Sequence, residues 1–290
     1  MTFQPGPALG LAVLALLYAR AVRVLGRRGY RVPRGQQVSW WAGWVLLCAA
    51  FMSPLDTKAL EYISAHMAQH VLMADIAVPL MLIGIRNPVL QFYLPRPILE
   101  PLARRHGLRA FFRRLRNPAV AIGAYTVVLY GWHIGAAFTA ALQNQFVHAL
   151  QHQSFIAFSA LVWWPLIEPN HRRLPGHLWK LPYIVGARLP TMFLGMAFVV
   201  AQSPFYTSFY GRGERPNGMS ALGDQQLGGA IMMVVDIVTL MVVLTAVFWR
   251  AAREDDEKAP VDETRAEREL AGVEDEGDVQ AGVQVAQVRQ

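Results

Sequence analysis

The sequence predicts an all-α fold, a polytopic transmembrane helical bundle of about seven spans with its N-terminus outside and its C-terminus cytoplasmic. Of 290 residues 54% are hydrophobic and 16% charged, and the charges gather between long apolar blocks. Seven blocks reach the roughly 20 residues that a hydrocarbon core about 30 Å thick asks of a helix. Basic residues favour alternate connections, which orients the bundle.

The blocks run at about 6–25, 38–55, 60–84, 118–142, 146–168, 181–201 and 225–250. In the first, an apolar run from Pro5 to Leu17 precedes its arginines, the reverse of a cleavable signal peptide, so it reads as a retained span. In or beside the first, third and fifth connections lie 17 Lys and Arg residues, against 3 in the others. This places the odd connections in the cytoplasm. The third, Arg86 to Asn117, reads as an interfacial segment on anionic headgroups, which leaves no reason to invoke nucleic acid. Residues 1–250 form the seven-helix domain. Residues 251–290, with 12 acidic and 5 basic side chains and no aromatic one, read as a disordered acidic cytoplasmic tail.

Span three carries HMAQH (His66, His70) and span five HALQH (His148, His152). An i, i+4 spacing stacks both imidazoles of a pair on one helix face. Counting along each helix puts His66, His70, His133, His148 and His152 about 9, 15, 13, 3 and 9 Å below the outer surface. His106, His171 and His177 fall in basic loops. Neutral imidazole suits copper or zinc, and thioethers favour Cu(I). Met67, Met52, Met192 and Met196 are the nearby thioethers, and Asp56, Gln69 or Gln151 are candidates to orient ligating rings from their far side. A lone membrane histidine often serves only as an interhelical hydrogen-bond donor, and methionines mostly pack. Five imidazoles at one level favour a functional site.

Asp75 and Arg188 match in depth on spans three and six and are expected to form a structural ion pair; an unpaired Asp75 or Asp236 in a proton path is the alternative. Cys48 is the only cysteine, so there is no disulfide framework and no CxxC motif. HExxH, GxSxG, P-loop and dinucleotide motifs are absent, and span seven has no lysine for a retinal Schiff base. The chain therefore reads as a non-enzyme. Gly228 and Gly229 read as close helix packing.

HMAQH followed by VPLMLIG, the GWH around His133, HALQH followed by SALVWWPLI, and DQQLGGAIMM resemble the CtaG-type cytochrome c oxidase assembly factors, in matching order over about residues 40–250. The matching positions are His66, Met67, His70, His133, His148, His152, Trp164, Pro165, Asp224 and Gln225. The chain departs from the family at Asp75, where an apolar residue is usual, and at Val78, where a second proline is. The resemblance implies a multi-pass protein of the bacterial plasma membrane that helps mature an aa-type terminal oxidase, in contact with oxidase subunits or other assembly factors, by delivering copper. Two other readings stand beside it: a haem protein with bis-histidine ligation such as His70 with His152, and a copper or proton transporter using Asp75 and Asp236.

Overall fold

The computed structural model describes residues 5–167 and 179–253. His171, His177 and the tail beyond Arg253 lie outside the described residues. All regular structure among those residues is helical. The long helices are α1 (Pro5–Arg27), α2 (Arg34–Met52), α3 (Ile63–Gly84), α4 (Pro118–His133), α5 (Gly135–Gln143), α6 (Gln145–Ile167), α7 (Lys180–Val200) and α8 (Ala221–Arg253). By length and hydropathy α1, α3, α7 and α8 are each able to cross a membrane. Polar residues such as Gln36 and Gln37 in α2, or Gln151 and His152 in α6, make those two helices less apolar.

The expected straight fourth span over 118–142 is corrected. It is two helices, α4 and α5, bent by 73°. Ile134 takes an extended conformation (φ −64°, ψ 130°), so no helical ladder crosses from His133 to Gly135. The bend puts His133 at the last residue of α4, and the depth counted along a straight span does not apply to it. The last helix also continues past residue 250 to Arg253. In the third connection, the short helix His106–Leu115 buries none of its residues.

Helix ends follow from local chemistry. After α1, Gly29 at φ +81° closes the terminus, with the Tyr30 N–H donating to the Leu25 carbonyl. Ser220 caps α8 by accepting from the Gly223 N–H at 3.0 Å. Close approach explains two glycines: a Cβ on Gly84 would lie 2.3 Å from the Trp40 Cβ of α2, and one on Gly229 would lie 2.6 Å from the Gly195 carbonyl oxygen of α7.

Helix α3 is not uniform. Residues Leu72–Ala77 form a π-helical turn in which the Val78 N–H donates to Met73, five residues back. Pro79, which has no N–H and crowds the preceding turn, follows immediately. The Ala74 carbonyl is thereby released from the α-ladder. It accepts instead from the Ser159 hydroxyl and, at 3.2 Å, the Trp163 indole of α6. Lipid supplies no such partner, so the widened turn fixes the register of α3 against α6.

Two buried charge clusters lock the helices. Arg188 of α7 donates from Nη1 to Asp75 at 2.7 Å and from Nε to Asp236 of α8, with all three side chains no more than 4% exposed. Asp236 is therefore not an unpaired group; it shares the guanidinium with Asp75. Nearer the other end, Asp224 of α8 accepts from the Ile63 N–H (2.8 Å), the Ser64 N–H (3.1 Å) and the Ser64 hydroxyl, satisfying the first turn of α3. Arg215 donates to the same carboxylate at 2.9 Å and to the Tyr210 carbonyl at 2.7 Å.

Removing one partner from a buried charge cluster strands the others. Arg188→Leu should cost about 3–5 kcal/mol of stability. The triple variant D75N/R188L/D236N, which strips the charge from all three, should recover most of the loss in thermal unfolding of detergent-solubilised protein. A triple variant no more stable than R188L would show that the three do not act as a unit. Asp224→Ala should destabilise by a similar amount, about 3–5 kcal/mol, and raise amide exchange at Ile63 and Ser64 specifically.

Candidate functional site

The anchored first turn of α3 is followed directly by His66 and His70, both buried. Across from them α6 presents His148 and His152. The four rings form one cluster. Centroids are 4.3 Å apart for His66 and His70, 4.2 Å for His148 and His152, 5.6 Å for His66 and His148, 5.2 Å for His70 and His152, and 6.4 Å for His66 and His152. Two i, i+4 pairs on facing helices thus make a compact block of imidazole.

His133 approaches the block from α4, its ring packed against Phe138 (6.1 Å), Phe155 (6.3 Å) and Phe198 (5.9 Å). Its Nδ1 lies 2.7 Å from the Leu129 carbonyl, which accepts only. The proton therefore sits on Nδ1 and the lone pair on Nε2. His133, His70 and Met67 together line a cavity of about 20 Å³ that also reaches Asp75, Tyr125 and Thr191. That is room for roughly one water molecule.

The surroundings of the four rings are aromatic. Phe138 lies 5.0 Å from His66, Phe155 4.6 Å from His70, and Phe51 5.4 Å from His152. Phe155 was legible as a neighbour, one turn beyond His152 on the same face. Phe138 was not, because it reaches the site only through the break before α5. Trp132 ties α4 to α6 by donating to the Ser154 hydroxyl at 2.7 Å.

In these walls most ring nitrogens find no partner. Both nitrogens of His66 and of His70, and Nε2 of His133, His148 and His152, are buried without a hydrogen bond. Each such group costs about 1–3 kcal/mol when left unsatisfied. As the side chains stand, no group of three His, Cys, Asp or Glu residues among the described residues is placed to hold a metal ion.

Of the residues expected to orient the rings, Asp56 lies close enough to His148 to interact with it electrostatically. Gln69 donates to the Ala50 carbonyl (2.8 Å) and to Asp56 (3.0 Å), tying α3 to α2 and the segment after it. Gln151 is fully buried with no partner for either amide atom. Met52 and Met196 are each 44% exposed, whereas Met67 is buried. Met192 is half-buried. Of the remaining motif residues, Gln225 accepts from the Phe205 N–H at 2.7 Å, fixing the connection after α7, and Trp164 packs in the cluster around Trp163 and Tyr183. Pro165 lies inside α6, near its end.

An uncharacterised protein of Mycobacterium bovis and one of Mycobacterium tuberculosis are each 25% identical over 273 residues, which cover 89% of this chain and 40% of the relative. An uncharacterised protein of Mycobacterium leprae is 24% identical over 270 residues, with the same coverage. The chain thus spans about 40% of the length of the curated relatives it matches. No solved structure gives a significant match. The profile of the cytochrome c oxidase caa3 assembly factor family (Caa3_CtaG) matches residues 16–254, taking in both histidine pairs, His133 and the Asp224–Gln225 motif, and the chain belongs to that family.

Proposed function

We propose that this protein carries copper at the outer face of the bacterial plasma membrane and hands it to a caa3-type cytochrome c oxidase during assembly. It does so directly or through a partner factor, without itself being an enzyme. The observation that carries this reading is the block of four imidazoles whose buried nitrogens lack partners. A soft monovalent or divalent cation is the partner such a set lacks.

The spacing supports it. A nitrogen ligand sits about 2.0–2.1 Å from a first-row metal, which puts each ring centroid about 3 Å from the ion and two such centroids about 5–6 Å apart. The cross-helix distances of 5.6 and 5.2 Å meet this. Within each i, i+4 pair, at 4.2 and 4.3 Å, the rings must swing apart by rotation about their side-chain bonds to share an ion. Met67 and the Nε2 lone pair of His133 offer further ligands across the small cavity, and a thioether favours Cu(I).

Membrane placement follows the charges. With seven spans and the arginine-rich connections inside, the N-terminus lies outside and both histidine pairs face the outer side. At 1.5 Å per residue α2 and α6 measure about 28 and 34 Å, long enough to cross alongside the more apolar helices.

Detergent-purified protein should bind about one copper per chain at equimolar supply, and H66A/H70A and H148A/H152A should each lower affinity at least about tenfold. Absence of bound copper in the wild type, or unchanged binding after both pairs are replaced, would contradict the proposal. Affinity should also fall on acidification, since protons compete with copper for the same imidazole nitrogens. A flat titration by competition with a chromogenic chelator would argue against nitrogen ligands.

A further inference from the structure

At the end of the bundle opposite the histidines, α3, α6, α7 and α8 enclose a groove of about 490 Å³. Its walls are almost wholly apolar, built from Pro79 and Ile83 of α3, Leu166 of α6 and Val238, Val242 and Ala246 of α8. Asp75, held by Arg188, closes the deep end. Arg86 just after α3 and Arg250 in the last turns of α8 line the mouth, while Lys180 at the start of α7 is buried and donates to the Leu166 carbonyl at 3.4 Å. Val238 and Val242 remain 56% and 63% exposed, so the groove opens sideways to whatever surrounds the bundle.

We propose that this groove binds one anionic phospholipid, with an acyl chain between α3 and α8 and the phosphate at the mouth beside Arg86 and Arg250. The length fits. From Asp75 to Arg86 the helix rises about 16 Å, close to half of a hydrocarbon core about 30 Å thick, which is the depth of one leaflet. The charge fits as well, because basic pockets between membrane helices on the cytoplasmic side select anionic headgroups. The acyl wall is supplied by the half of α8 that packs least, since only 17% of its most apolar window is buried. The inference rests on membrane placement and is independent of copper.

The test is native mass spectrometry of the full chain after exchange into mixed micelles of phosphatidylglycerol and phosphatidylcholine. One phosphatidylglycerol should be retained per chain in preference to phosphatidylcholine, and R86Q/R250Q should reduce retention at least about tenfold. Val242→Trp, which fills the groove without touching its charges, should abolish retention of either lipid. Should a variant elute as aggregate, phosphatidylglycerol bearing a photoreactive acyl chain decides the matter on wild-type protein: labelling should concentrate on residues 79–83 and 238–246. Equal retention of both headgroups, labelling spread evenly over the lipid-facing helices, or a second copy of the chain filling the groove would overturn the assignment.

Discussion

Two buried carboxylate clusters, each gripped by one guanidinium, hold α3 where it is. At one end Asp224 satisfies the N–H groups of Ile63 and Ser64 while Arg215 holds the carboxylate. Further along, Asp75 and Asp236 share Arg188. Between these points lie His66 and His70, so their register against α6 is set by ion pairs that a hydrocarbon environment makes costly to break. The π-helical turn belongs to the same constraint. It frees the Ala74 carbonyl, and only Ser159 and Trp163 of α6 are there to receive it.

The histidines form the densest group of unpartnered buried polar atoms among the described residues, which also include both amide atoms of Gln151 and the Nη2 of Arg188 and of Arg215. The molecule finds partners for the Ala74 carbonyl, for three buried carboxylates and for the first turn of α3, yet leaves two pairs of imidazoles packed against one another and against phenyl rings. Natural proteins break local consistency mainly at functional sites. Membership in the caa3 oxidase assembly family gives that cluster a biological setting in oxidase assembly.

Much of this was legible beforehand, and the reasons for the rest are physical. Apolar block length located α3, α6, α7 and α8 to within a few residues, because a helix in lipid is specified by composition more than by packing. The i, i+4 spacing put each histidine pair on one face, and depth counting brought Asp75 level with Arg188. It did not reveal that Asp236 joins them, since three helices meeting at one point is tertiary information. The break at Ile134 was hidden because GWHIG is apolar enough to continue a span; a single extended residue there turns the chain and brings Phe138 to the ring block. Gln69 and Gln151 show a further limit. Their position beside the histidines suggested orienting bonds to the rings, whereas Gln69 serves the Ala50 carbonyl and Asp56.

The groove at the opposite end and the imidazole block are separated by the Asp75–Arg188–Asp236 cluster, so the bundle divides along its length into an end that carries the histidine pairs and an end that carries the apolar groove. The most direct test of the account is X-ray absorption at the copper edge on loaded, detergent-purified protein. The account predicts the outer-shell scattering of imidazole rings from at least two histidines, lost together in H66A/H70A. A spectrum of oxygen donors alone, unchanged by that substitution, would contradict it.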